Sequence, residues 1–186
     1  VNLDYIRYRT EAAGSLSVFT KDEKVDKILA FVKSAREAID RCGPDTKLGI
    51  STFSVLGWDH DANVNGIGQD IRQLAPLVDV ISPMAYNANF SLENPNWAAP
   101  AGHKGGRWHW LVYRTGIGYK ELIGEENAYK LRPRLQGWGV TTAEMRKQME
   151  AVYDAGACGF MVWSAGNEYA ASYAAMDAVP VPENCR

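Results

Sequence analysis

The sequence predicts an α/β fold built on a parallel sheet, and three observations carry that expectation. Segments with apolar residues at helical spacing alternate, about five times, with short apolar runs rich in β-branched residues. Those runs are continuous in apolar character, as strands covered on both faces are. The connections between them run to a dozen residues or more, the length parallel strands need for a crossover. Two architectures satisfy this pattern, an open doubly wound sheet and a β/α barrel. The GIG at 66–68 lacks the full phosphate-binding glycine pattern and is misplaced for one, which disfavours a nucleotide-binding sheet.

Each element has its own justification. VNLDYIRYRT opens as the end of a buried strand and is followed by a loop. In TKDEKVDKILAFVKSAREAIDRCGP, Thr20 and Glu23 make a capping box. Val25, Ile28, Leu29, Val32, Ala35 and Ile39 form one apolar stripe there, and Gly43 with Pro44 ends the helix. KLGISTFSVLG is a buried strand, IGQDIRQLAPLV a helix and VDVISPMAY a further buried strand. A loop rich in Asn, Pro and Gly spans about 87–106, then WHWLVYRTGIGYKELIGEENAY reads as a helix interrupted by its glycines. KLRPRLQGWG is a strand in which Pro133 occupies a position that needs no amide. TTAEMRKQMEAVYDAG carries a second capping box, Thr141 with Glu144, and a stripe of Met145, Met149, Val152 and Tyr153. CGFMVWSAG and EYAASYAAMDAV supply the last strand and helix.

Composition narrows the function. The 186 residues suit one domain, 1–186, with 46% hydrophobic and 23% charged residues, ordinary values for a globular chain. A net charge of −2 gives no electrostatic reason for binding nucleic acid or an anionic membrane, and no apolar run is long enough to span a bilayer. The chain opens on Val1, so the lack of a visible leader excludes nothing. Cys42, Cys158 and Cys185 show no metal-type spacing; one pair could bridge and leave a thiol, or all three could stay reduced.

In either architecture ligands bind at the carboxyl ends of the strands. Those ends deliver Asp4, Tyr5 and Arg7; then Trp58, Asp59, His60 and Asp61; then Met84, Tyr86 and Asn87; then Gln136 and Trp138; and finally Trp163, Ser164, Asn167 and Glu168. Every end pairs an aromatic with a polar or acidic group, which suits a sugar: hydroxyls need hydrogen bonds and C–H faces an apolar platform. Plainer roles exist for each. Asp4 and Arg7 could be a buried ion pair, Asp59 and Asp61 turn or helix-cap residues, Trp138 and Trp163 core aromatics, and Glu168 the start of a helix. The D-x-D spacing lacks the rest of an oxygen-ligand loop, so no metal or cofactor is expected. His60, His103 and His109 fall in or near loops, the last two as solvent-exposed residues.

LDYIRYR, GISTFSVLGWDHDANVNGIGQDI, LVDVISPMAYNANF, LRPRLQGWG and AGACGFMVWSAGNEY, in that order over nearly the whole chain, resemble the putative glycosyl hydrolase domain family, (β/α)8 barrels allied to glycoside hydrolases. The resemblance implies that Asp4, Asp59, Tyr86, Gln136 and Trp163 follow or end barrel strands four to eight, a partial barrel of about five β/α units. The chain departs from its relatives at Arg9, at Arg134 and Ser164, and has Asn87 where chitinase-like barrels carry an acid. It implies a glycoside hydrolase-like protein acting on a poly- or oligosaccharide. Asp4 would be nucleophile or charge stabiliser with Arg7 as its counter-charge, Asp59 the acid/base and Glu168 in reserve. Arg7, Trp58, Tyr86, Asn87, Gln136, Trp138, Trp163 and Asn167 would contact sugar. A non-catalytic carbohydrate-binding remnant and a hydrolase of a non-sugar substrate are the alternatives. Two open sheet edges point to a homo-oligomer that completes the barrel, and the resemblance is compatible with a secreted or cell-envelope setting.

Overall fold

A computed structural model describes residues 1–9, 18–43 and 45–185. Most of the loop expected after the first strand, and Pro44 as a helix stop, lie outside the described residues. Five parallel strands follow one another in chain order: β1 (Asn2–Leu3), β2 (Gly49–Phe53), β3 (Val80–Ala85), β4 (Arg134–Gln136) and β5 (Met161–Trp163). Each pairs with the next, and the sheet curls into a half-barrel.

The period of two along a strand separates its faces. Ile50, Ile81 and Leu135, all fully buried, project into the layer of helices. Ser51, Phe53, Met84, Arg134 and Trp163 project to the concave side and line a cavity there. The helical layer begins with α1 (Lys21–Cys42), where the Thr20–Glu23 capping box forms and Val25, Ile28, Leu29 and Val32 are buried. The Thr141–Glu144 box likewise opens α5 (Thr142–Asp154), which buries Met145, Met149 and Val152. The chain closes with α6 (Ala170–Met176).

Three expectations need correction. The strand read through 57 stops at Phe53 and turns into a 3₁₀ segment, Ser54–Gly57. Beyond it lies a helix the periodicity did not show, α2 (His60–Ile67); Asp59 caps it by accepting from the Ala62 amide at 3.2 Å, and left-handed Gly68 closes it. It buries only His60, Val64 and Ile67, too few apolar positions to print a stripe. The helix expected over 67–78 is shorter: α3 (Ile71–Leu74) starts at the Asp70 cap, and Pro76 accompanies its tightening into a 3₁₀ turn. Finally, α4 (Gly106–Ile123) runs unbroken through Gly116 and Gly118. Gly118 brings the helix close to the Ser54–Gly57 segment, since a Cβ there would stand 1.6 Å from the Gly57 carbonyl oxygen, while a Cβ at Gly116 would meet Ala155 at 2.7 Å.

Cys158 and Cys185 form a disulfide, and Cys42 is an exposed free thiol. No helix among the described residues is long and apolar enough to cross a membrane.

Candidate active site

The concave face of the half-barrel holds a cavity of about 310 Å³ at the carboxyl ends of the strands. Gln69 fixes its floor. Its buried amide donates to the Ile6 and Ser51 carbonyls, both at 3.2 Å, and accepts from the Phe53 amide at 3.1 Å. One side chain thereby ties the segment after β1 to β2, which is the structural use of the IGQ motif.

Asp4 stands at the rim as the one carboxylate among the described lining residues. Its Oδ1 accepts from the Tyr5 amide at 2.9 Å, and its Oδ2 faces Arg134 Nη1 at 3.5 Å. The ion pair with Arg7 does not form. Arg7 instead donates to the Tyr8 carbonyl at 3.2 Å and lays its guanidinium over Phe53 and Tyr5, 5.0 and 5.6 Å from the ring centres. The reason is local: Tyr5 adopts φ 56°, a left-handed conformation uncommon for an aromatic residue, and the chain turns there, with the Arg7 amide donating to the Tyr5 carbonyl at 2.8 Å. Strain of this kind concentrates at functional sites.

The opposite wall is aromatic. Trp163 stacks on Tyr86 at 5.7 Å and 30°, and Trp138 meets both edge-on, at 5.1 Å from Tyr86 and 5.2 Å from Trp163. Trp163 remains 43% exposed, an open indole face beside the cavity. Burial pushes the Tyr86 phenol up from its ordinary value; Arg134 partly offsets this, and Asp4 adds to it. Tyr86 therefore stays protonated at neutral pH and serves as a hydrogen-bonding group.

The cavity thus gathers Asp4, Tyr5, Arg7, Met84, Tyr86, Trp138 and Trp163 from the residues singled out in the sequence. The others sit elsewhere. Asp59 lines a separate cleft with His60, Asp61, Arg72 and Arg114, and Glu168 lines another with Gly137, Gly139 and Thr141. Trp58 packs against Phe90, Trp97 and Trp110 and donates its indole N–H to Thr115 at 3.0 Å. Gln136 is a brace: its side chain accepts from the Ala88 amide at 2.8 Å and donates to the Trp138 carbonyl at 3.0 Å, which positions the loops after β3 and β4. Asn87 is buried with no partner for its side-chain amide, and its backbone carbonyl accepts from Arg107. Asn167 is exposed in a left-handed turn.

Ser51, Phe53, Gln69, Asn89 and Arg134 are the lining residues that strand-end reading passed over. Arg134 had a signal, since it lies two residues before Gln136 on the same strand, where alternation sends it to the concave face.

Away from the cavity, His109 is buried rather than exposed. It links Asp154, Nε2 to Oδ2 2.8 Å, to His103, Nδ1 to Nε2 3.0 Å. Among the described residues, no group of three or more His, Cys, Asp or Glu is placed to hold a metal ion.

A family model described as putative glycosyl hydrolase domain matches residues 1–169, and the chain belongs to that family. Among solved structures, a class V chitinase from Pseudomonas fluorescens Pf-5 aligns with a TM-score of 0.64 and 17% identity. The alignment covers 95% of this chain and 65% of the chitinase, so the chain spans just under two thirds of that protein's length. Bee venom hyaluronidase aligns with a TM-score of 0.49 and 12% identity, over 82% of this chain and 50% of the other. No curated protein sequence matches. The chitinase likeness bears on the fold: a glycoside hydrolase-type barrel of which five β/α units are present here.

Proposed function

We propose that the chain acts on a poly- or oligosaccharide, as a glycoside hydrolase-like protein whose sugar lies in the Asp4 cavity. The observation that carries this is the pairing of a carboxylate with an open indole wall in one strand-end cavity, Asp4 facing Tyr86, Trp138 and Trp163. In this reading the indoles take the C–H face of a sugar, and Asp4 stabilises positive charge that develops at the anomeric carbon or attacks it as nucleophile. Tyr86 and Arg134 hold the acid side of the cavity and hydrogen-bond hydroxyls.

Glycosidases of the common kind use two carboxyl groups, about 5–5.5 Å apart when retaining and roughly 6.5–9.5 Å apart when inverting. Asp59 and Glu168 line other clefts. That favours a second reading, a carbohydrate-binding cleft without catalysis. The two are separated by testing a glycan panel for hydrolysis with wild type and Asp4→Asn. The hydrolase reading expects turnover that falls about a hundredfold or more in the variant. Binding without turnover by wild type selects the second reading, and turnover unchanged in the variant removes Asp4 from catalysis.

The same reading takes carbohydrate as the partner and a second copy of the chain as the cover of the sheet edges β1 and β5, which pair with no further strand among the described residues. Light scattering at micromolar concentration should give at least twice the chain mass; the mass of one chain contradicts the pairing. The disulfide supports an oxidising setting for the protein.

A further inference from the structure

The charges of the Asp4 cavity do not balance. Its described lining holds one carboxylate, Asp4, and two guanidinium groups, Arg7 and Arg134. Arg134 is engaged: it faces Asp4 at 3.5 Å and acts on the Tyr86 hydroxyl. Arg7 meets no carboxylate among the described residues. Of its five N–H donors, the described contacts use one, to the Tyr8 carbonyl, while its face rests on Phe53 and Tyr5. Stacking occupies the plane of a guanidinium and leaves the N–H edge, the part that receives an oxyanion in a two-point contact. A cation so fixed, beside aromatic walls that thin out the water, attracts an anion more strongly than one on open surface.

We propose that the sugar taken by this cavity is acidic, with a carboxylate or sulfate group received by Arg7 while the ring lies on Trp163. The proposal rests on the carbohydrate reading above and adds the chemical class of the sugar. A neutral sugar would leave the Arg7 edge without a partner, and a carboxylate at that point neutralises the excess charge.

The test is calorimetric titration of the full chain with four probes of matched length. They are a neutral chitin oligosaccharide, an oligogalacturonate, a sulfated galactan oligosaccharide and polyglutamate as a polyanion that is not a sugar. One acidic sugar should bind at least about tenfold tighter than the neutral one, the worth of a single charged hydrogen-bonded contact. Which of the two binds distinguishes carboxylate from sulfate. The preference should shrink as salt rises, disappear in Arg7→Gln and survive in part in Arg7→Lys. Should Arg7→Gln fail to fold, the wild-type preference and the Lys variant still decide. Neutral sugar binding as tightly as acidic sugar overturns the inference and leaves the carbohydrate reading standing. Polyglutamate binding as tightly as acidic sugar overturns it as well, because the attraction is then mere charge. Binding of no sugar overturns both.

Discussion

Asp4 shows how far a single residue can be read from sequence. Its position at the end of an apolar run made it a rim residue, and it lies at the rim of the cavity. Its charge partner was not legible, because Arg7 is close in sequence but is carried away by the left-handed turn at Tyr5, whereas Arg134 arrives from three strands further on. Contacts of that kind are set by sheet curvature, which no local pattern records. The glycines of α4 teach the reverse lesson. Taken alone Gly118 reads as a helix breaker, yet in place it is the point where α4 touches the Gly57 carbonyl. Gly118→Ala gains about 1 kcal/mol of helix propensity. The new Cβ meets backbone, which has no rotamer to yield, so overpacking should cost about 3 kcal/mol, the upper part of the usual range. Urea denaturation should show a lower midpoint; an unchanged or higher midpoint would mean that the close approach is not made.

At the scale of elements, both capping boxes and the stripe of α1 were legible because helix starts are written in consecutive residues. Helix α2 was not, since its buried face carries only two apolar side chains, Val64 and Ile67, beside His60, and its ends are set by the Asp59 cap and Gly68. The contact between α4 and α5 brings a pH dependence with it. Burial, and to a lesser degree the charge of His109, lowers His103 from its ordinary value, with Asp154 acting against them. The unfolded chain therefore takes up this proton at higher pH than the folded one does. Stability from this group is complete above the unfolded value of about 6.5 and is lost as pH falls below it towards the folded value. Burial raises Asp154 too, but Lys104 and His109 outweigh it and leave the carboxyl low, so its contribution is lost only in more acidic solution, below about pH 4. Thermal melts should show a decline that begins near pH 6.5 and is removed by His103→Gln. A flat wild-type profile between pH 7 and about 5 would contradict the burial of that imidazole.

Over the whole molecule, the alternation of strands and helices was enough to give a parallel sheet, and the strand order is the simplest one that alternation allows. The disulfide between Cys158 and Cys185 was one of the pairings left open, because spacing alone does not choose among three cysteines. Which strand ends share a cavity depends on the curl of the sheet, and so Asp59 and Glu168 could not be sorted from Asp4 beforehand. The proposed sugar site is the Asp4 cavity. Five of the six tryptophans report on it directly, since Trp138 and Trp163 line the cavity while Trp58, Trp97 and Trp110 belong to a separate aromatic cluster. In nitrogen-resolved NMR of the indole N–H groups during glycan titration, the Trp138 and Trp163 signals should shift together and saturate while those of the separate cluster stay in place. Shifts confined to Trp58, Trp97 and Trp110, or saturable binding that moves neither Trp138 nor Trp163, would contradict the account.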